Sequence, residues 1–180
     1  MATGRSSSTE TLFSRKGEPS EPSTAPLHVI MKHMKINVEI NNLTKTPIKE
    51  DLFKVVVKKT LKNSSYKFLK KKNIFVSLAI VSKAEIKKLN RTYRKINQAT
   101  DVLSFAEYKN IEQIRAAKEK EVFLGELILC YDDIKEYARK KGLNLKKETG
   151  TVVSHGILHL LGFRHGKKMF GIQDKAVNAQ

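Results

Sequence analysis

Residues 154–165 read Ser-His-Gly-Ile-Leu-His-Leu-Leu-Gly-Phe-Arg-His, and this stretch decides what kind of fold and site the chain builds. His155 and His159 stand four apart, so a helix puts both imidazoles on one face, one turn apart. Two nitrogens at that reach are able to bind one metal ion. Gly162 lets the chain turn sharply after the helix, and His165 then swings back to supply a third nitrogen. Three imidazoles with one open, water-bearing position form a common catalytic zinc arrangement. A histidine pair at helical spacing is weak evidence by itself. Three of the chain's five histidines with a glycine at the turn are much stronger. Gly156 adds to the case, because a glycine inside a helix costs about 1 kcal/mol relative to alanine and needs a reason. Close approach of another backbone, or of substrate, at the metal face would be one.

Outward from this segment, the pattern alternates between helix and strand signals. The histidine helix is expected from about Lys147 to Leu161 as the last of the chain. Before it, Tyr131 to Lys141 reads as a short helix stopped by Gly142. Asp101 to Phe105 and Val122 to Cys130 are strand candidates, separated by a charged excursion from Glu107 to Glu121. Ser82 and Glu85 form a capping-box pattern, with Ile86, Leu89 and Tyr93 as the buried stripe of the helix that follows. Ile74 to Val81 is a continuous apolar run, suited to a strand buried on both faces. Thr46-Pro47 resembles an N-cap with proline at the first helical position, leading into Ile48, Leu52, Val55 and Val56 at helical spacing. Met34 to Ile40 alternates like a half-buried strand. Strands and helices mix without a strict βαβ rhythm, which predicts an α+β fold: a small mixed sheet packed with helices.

The expected organisation is a leader or extension over 1–33 and one domain over 34–180. The first segment is rich in Ser, Thr, Pro and Glu and lacks periodicity, the composition of disordered chain. Its three glutamates argue against a mitochondrial transit segment. The whole chain of 180 residues carries a formal net charge of +17, yet 1–33 holds only Arg5, Arg15, Lys16 and Lys32 against Glu10, Glu18 and Glu21. The excess therefore lies in the domain. It is densest between Lys54 and Lys95, where fourteen basic residues face one acid, Glu85. A solvated lysine-rich surface would look the same, but clustered cations of this density also suit a polyanion, whose phosphates release counterions when cations bind them. Lys70, Lys71, Lys72, Lys87 and Lys88 are the candidate residues for binding such a polyanion. The lone cysteine, Cys130, excludes an internal disulfide and fits a reducing compartment. No apolar run is long enough for a membrane span. A soluble cytoplasmic protein is expected.

The histidine spacing also describes a metalloprotease motif, but that motif needs a Glu directly after the first histidine as general base. Here the position is Gly156. Peptide hydrolysis by that route is disfavoured.

Three blocks together resemble the YbeY family of bacterial endoribonucleases that mature ribosomal RNA. The run His155 to His165 is similar to the family's signature. Leu89-Asn90-Arg91-Thr92-Tyr93-Arg94, followed by Thr100-Asp101-Val102-Leu103-Ser104-Phe105, resembles its central motif, and Leu124-Gly125-Glu126-Leu127-Ile128 its Leu-Gly-Asp strand. The resemblance covers about residues 34–170 in family order. It implies a zincin-like metal hydrolase whose three histidines hold one Zn2+ ion, single-strand-specific RNA cleavage, small-subunit ribosomal RNA maturation and ribosome quality control, with the ribosome or its small subunit as partner. It maps the family's functional arginine onto Arg94, where a guanidinium is able to grip a phosphate at two points and offset charge growing on it. Imidazole also suits other divalent metals.

The chain departs from the family at Arg164, where an acid usually stands, at Ile96, Asn97 and Ala99, at Glu126 in place of Asp, and in ending soon after His165. Two other readings compete: a metal-dependent hydrolase of peptides or small amides, and a non-catalytic RNA-binding ribosome-assembly factor with a structural metal. The second would want four protein ligands, and no cysteine lies near the histidines.

Overall fold

The computed structural model describes residues 34–178; the expected leader over 1–33 lies outside the described residues. A four-stranded sheet is built from β1 (Lys35–Asn42), β2 (Asn73–Ile80), β3 (Val102–Ala106) and β4 (Glu121–Leu129), in the order β1-β2-β4-β3. β1, β2 and β4 run parallel, and β3 closes one edge antiparallel to β4. The helices are α1 (Glu50–Asn63), α2 (Lys83–Arg94), α3 (Ile111–Ala116), α4 (Tyr131–Lys141), α5 (Leu145–Leu160) and α6 (Lys167–Asn178). A 3-10 turn, Lys67–Lys71, leads into β2. This is the α+β arrangement with a small mixed sheet that the pattern predicts.

Strand alternation sorts the side chains onto two unequal faces. Ile74, Val76, Leu78 and Ile80 of β2 join Val122, Leu124, Leu127 and Leu129 of β4 in the main core. Leu124 and Leu127 share that face because the β2–β4 register shifts between Phe75 and Ser77, a bulge that inserts one residue and resets the alternation. α1, α5 and α6 supply Phe53, Val57, Val153, Ile157, Leu158 and Met169 to the same core. On the other face, α2 alone packs a smaller cluster of Ile86, Ala79, Val81, Leu103 and Cys130. Burial raises the Cys130 thiol above its ordinary pKa, so it is an inert packing residue.

Several sequence expectations need correction. α1 begins at Glu50 rather than at Thr46-Pro47, because the Thr46 hydroxyl donates to the Asp132 carboxylate (3.0 Å) and its N–H donates to Thr44 Oγ1. Its inner face is Phe53, Val56, Val57 and Leu61, which leaves Val55 exposed. β2 is buried on both faces only near its end; Phe75 and Ser77 are half-buried, since α2 does not reach them. Ser82 does cap α2, accepting from the Glu85 N–H (3.2 Å), but Tyr93 lies outside the stripe and Asn90 takes the buried position. The histidine helix is not the last: α6 follows, burying Met169, Ile172 and Ala176 at helical spacing.

Candidate metal centre

α5 is buried almost all round, with Val152, Val153, Ser154, Gly156, Ile157, Leu158 and Leu160 all inside. Its accessible stripe is Glu148, Thr151, His155 and His159, spaced by three, four and four residues. That stripe walls a cleft of about 390 Å³ shared with Arg94, Thr100, Asp101, Val102, Ser104, Val152 and His165. The helix is packed so that what it leaves open is the chemistry.

Gly156 explains how the helix comes so close to the sheet. A Cβ there would sit 2.8 and 3.0 Å from the two methyls of Leu127 and 3.3 Å from Ser104 Oγ. The glycine therefore lets the backbone of α5 settle onto β4 and β3, which holds His155 opposite the edge strand. Behind it, the Thr60 hydroxyl donates to Ser154 Oγ (2.9 Å) and fixes α5 against α1. At the other end, Gly162 adopts a φ of +79°, a left-handed turn natural to glycine. The turn brings His165 back over α5.

The three Nε2 atoms converge, at 3.0 Å (His155 to His159), 3.1 Å (His159 to His165) and 3.2 Å (His155 to His165). In two of the three rings the proton is committed elsewhere. His155 Nδ1 faces Gln173 Oε1 at 3.3 Å and His159 Nδ1 faces the Phe163 carbonyl oxygen at 3.1 Å. Both partners are acceptors, so Nδ1 carries the hydrogen and Nε2 is a bare lone pair in the neutral ring. Lone pairs aimed at one another repel unless a cation lies between them. A triangle of this size also puts its corners about as far from a common point as the ~2.0–2.1 Å zinc–nitrogen bond requires. Burial holds both His155 and His159 below their ordinary pKa, the neighbouring ring charges adding to it in each case, which keeps them in the ligand form. The donor set fits a divalent ion, with the cleft as the open side.

Arg94 ends α2, on the far face of the sheet, and reaches round the β3 edge into this cleft. Its charge is felt at His159, whose pKa it helps to lower. The loop that follows is tied down by Asn90, whose side-chain amide donates to the Gln98 carbonyl (2.8 Å). This delivers Asp101 to the cleft, its Oδ1 accepting from Thr100 Oγ1 and the Val102 N–H.

Two carboxylates, Asp101 and Glu148, therefore stand in the histidine cleft, although the segment that carries the histidines encodes none. Burial raises Glu148 above the usual carboxylate range, and the charge of Asp101 adds to it. The helical period does point to Glu148, seven residues before His155 on the same face. No local signal points to Gln173, because it comes from α6. Glu126 lies apart, accepting a long hydrogen bond from the Ser77 hydroxyl (3.4 Å).

The candidate lysines are not brought together. Lys70, Lys71 and Lys72 precede the N-terminal end of β2, while Lys87 and Lys88 sit on α2 beyond its C-terminal end. Lys72 donates to the Ala117 carbonyl, and the others are exposed. A larger cavity, about 1020 Å³, lies elsewhere, between Pro47–Val55 and Asn144–Lys146, and holds no histidine. No helix among the described residues is long and apolar enough to cross a membrane.

Comparison with known proteins gives one consistent result. A family model described as Endoribonuclease YbeY matches residues 39–179. The chain is 36% identical over 137 residues to an Endoribonuclease YbeY of Caldicellulosiruptor bescii, covering 73% of this chain and 85% of that protein. It is 39% identical over 110 residues to one of Staphylococcus aureus, covering 58% and 71%. A solution structure from Thermotoga maritima superposes with a TM-score of 0.53 at 30% identity, covering 79% of this chain and 87% of that one.

Proposed function

The chain belongs to the YbeY endoribonuclease family, and from that membership we propose a zinc-dependent enzyme that cuts single-stranded RNA during small-subunit ribosomal RNA maturation and ribosome quality control. As a family member it is a nuclease acting on RNA phosphodiester bonds. The observation that carries the metal reading is the convergence of three Nε2 atoms beside an arginine. In this reading His155, His159 and His165 are the ligands of one zincin-like site. A divalent ion there would supply Lewis acidity, lowering the pKa of water and polarising a phosphoryl oxygen.

The remaining work falls to the chain's own groups. Arg94 holds the scissile phosphate at two points and offsets the charge that grows on its oxygens. Asp101, oriented by two donors, takes up a proton from water entering the cleft. Glu148, with its raised pKa, holds a proton for the departing ribose oxygen. Gly156 leaves no carboxylate beside His155 for the peptidase route, and the basic surface suits RNA better than an amide. The scattered lysines act as long-range attraction between the cytoplasmic enzyme and the RNA of the small subunit.

The test is cleavage of a defined single-stranded RNA by protein stripped with a chelator and then reloaded with zinc. Cleavage should vanish on stripping and return with zinc. Undiminished cleavage by metal-free protein would overturn the proposal.

A further inference from the structure

Exposed aromatic rings are ordinary singly, but their positions in this molecule are not scattered. Among the described residues three aromatic side chains are exposed: Tyr93 at 63%, Tyr137 at 49% and Phe170 at 46%. Each is tied to the histidine cleft or its extension: Phe170 through its contact with His165, Tyr93 through its chain neighbour Arg94, and Tyr137 through the adjoining cavity that it lines. Phe170 lies stacked on His165, centroids 6.2 Å apart and planes 20° from parallel. Tyr93 immediately precedes Arg94 and stands edge-on to Phe105 at 5.0 Å, which fixes its ring against β3. Tyr137 lines a second cavity of about 430 Å³ that shares Thr100, Asp101, Glu148 and Val152 with the metal cleft. The two cavities thus form one groove along about three turns of α5, roughly 16 Å long from Glu148 to His159.

We propose that Tyr93, Tyr137 and Phe170 are stacking platforms for unpaired bases of an RNA strand lying in this groove. The proposal rests on the reading of the cleft as an RNA-cleaving site and adds to it the residues that select single strands. Every base presents a π-face, so rings at intervals along a groove hold a strand without reading its sequence. A base already paired in a duplex has both faces covered and cannot use them.

Charge fixes which part of the strand goes where. The Tyr137 end has Asp101, Asp133 and Glu148 in its walls and no cation among its lining residues, a surface that suits the polar edge of a base better than a phosphate. At the other end Arg94 faces the histidines, and Lys168 reaches over the Phe163 ring, 5.5 Å from its centroid. Phosphates belong there, with a base against Phe170.

The test measures binding of metal-replete protein to three 2′-O-methyl probes: a single strand, the same strand with its central bases removed, and a duplex. Each probe is titrated at several salt concentrations. Tyr93→Ala, Tyr137→Ala and Phe170→Ala should each bind the single strand roughly tenfold more weakly. Duplex affinity and salt slope should stay unchanged, because every cation that meets a phosphate is still in place. The parent should bind the abasic strand weakly, and the variants no worse than the parent. Phe170→Tyr and Tyr137→Phe keep the ring and should keep the affinity, which separates stacking from a folding defect. The triple alanine variant matching the parent on the single strand, or the parent binding abasic and normal strands equally, would overturn the proposal. A parent that binds no RNA would overturn the underlying functional reading with it, and is distinguishable because it needs no variant.

Discussion

On one face of the sheet three helices, α1, α5 and α6, crowd onto a single core that reaches from Phe53 to Met169; on the other, α2 covers part of β2, β3 and β4 and leaves Phe75 and Phe123 half-buried, ring against ring at 5.3 Å. The cleft draws from both. Two of its histidines, His155 and His159, ride on α5, the most enclosed helix, where a shift of backbone meets packed side chains on almost every side; the turn at Gly162 brings His165 back to them. Its arginine comes from the end of α2, exposed and lightly held. In the proposed mechanism the two faces divide the labour: the candidate ligands, whose convergence is sensitive to tenths of an ångström, gather on the crowded one, and the arginine proposed to meet substrate sits on the lightly packed one. Substitutions on the two faces should then fail differently, by loss of geometry on one and by loss of a single interaction on the other.

The largest such effect is expected at Arg94. Arg94→Ala should keep metal and fold yet lose about a hundredfold in single-turnover cleavage, the roughly 3 kcal/mol typical of a preorganised donor to developing charge. Arg94→Lys should recover little, because an ammonium lacks the two-point grip. A parental rate for Arg94→Ala would show that α2 contributes nothing to the chemistry.

Gly156→Ala probes the crowded face. Overpacking against Leu127 costs about 1–3 kcal/mol, of which helix propensity returns about 1 kcal/mol. Denaturant unfolding should show a net destabilisation of about 1 kcal/mol, with cleavage falling alongside as His155 is pushed off the edge strand. A stabilised variant with full cleavage would mean that α5 has slack the packing does not suggest.

Charge reversal at Lys70, Lys71, Lys87 and Lys88 comes next. If these exposed lysines attract RNA from both ends of β2, the slope of log affinity against log salt should flatten by about 0.7 for each phosphate no longer neutralised. Lys72→Ala should flatten it less, since that ammonium is already engaged by the Ala117 carbonyl. An unchanged slope in the multiple variant would reduce the lysines to solvated surface.

The smallest effect belongs to the link between α2 and α4, where Lys83 bridges Asp133 (2.8 Å) and Glu136 (3.0 Å). Hydrogen bonds from Lys140 and then Lys83 hold the Glu136 carboxyl down to about 2. A depressed carboxylate contributes stability above its ordinary pKa and loses it as pH falls through the folded value. Lys83→Ala should therefore lower the melting temperature slightly at pH 7, and the gap should close on acidification toward pH 2. The pair is solvent-exposed, so a large gap would be inconsistent with a screened surface bridge.

Much of this is legible in the chain because it depends on neighbours in sequence. The histidine helix, the Gly162 turn, the Ser82 cap and the four strands all follow from local spacing and turn chemistry. What is not legible depends on distant residues meeting. Thr46-Pro47 has the form of a helix start, but Asp132, 86 residues away, claims the Thr46 hydroxyl. Tyr93 fits the apolar stripe of α2, yet the sheet ends at β3 and leaves it uncovered. Asp101 joins the site because the loop before β3 is anchored by Asn90, and Gln173 because α6, announced only by the short apolar spacing of Met169, Ile172 and Ala176, folds back along α5. The candidate metal ligands lie within one short segment, His155 to His165; the groups around them come from separate elements.

Whether three converging Nε2 atoms hold one ion is decided by metal analysis. The parent and His159→Ala are purified without a histidine tag or metal-affinity column, loaded with zinc, desalted, and assayed for metal per chain. One equivalent in the parent and none retained by His159→Ala is the predicted result. Full occupancy in His159→Ala, or a folded parent that keeps no metal after loading, would contradict it.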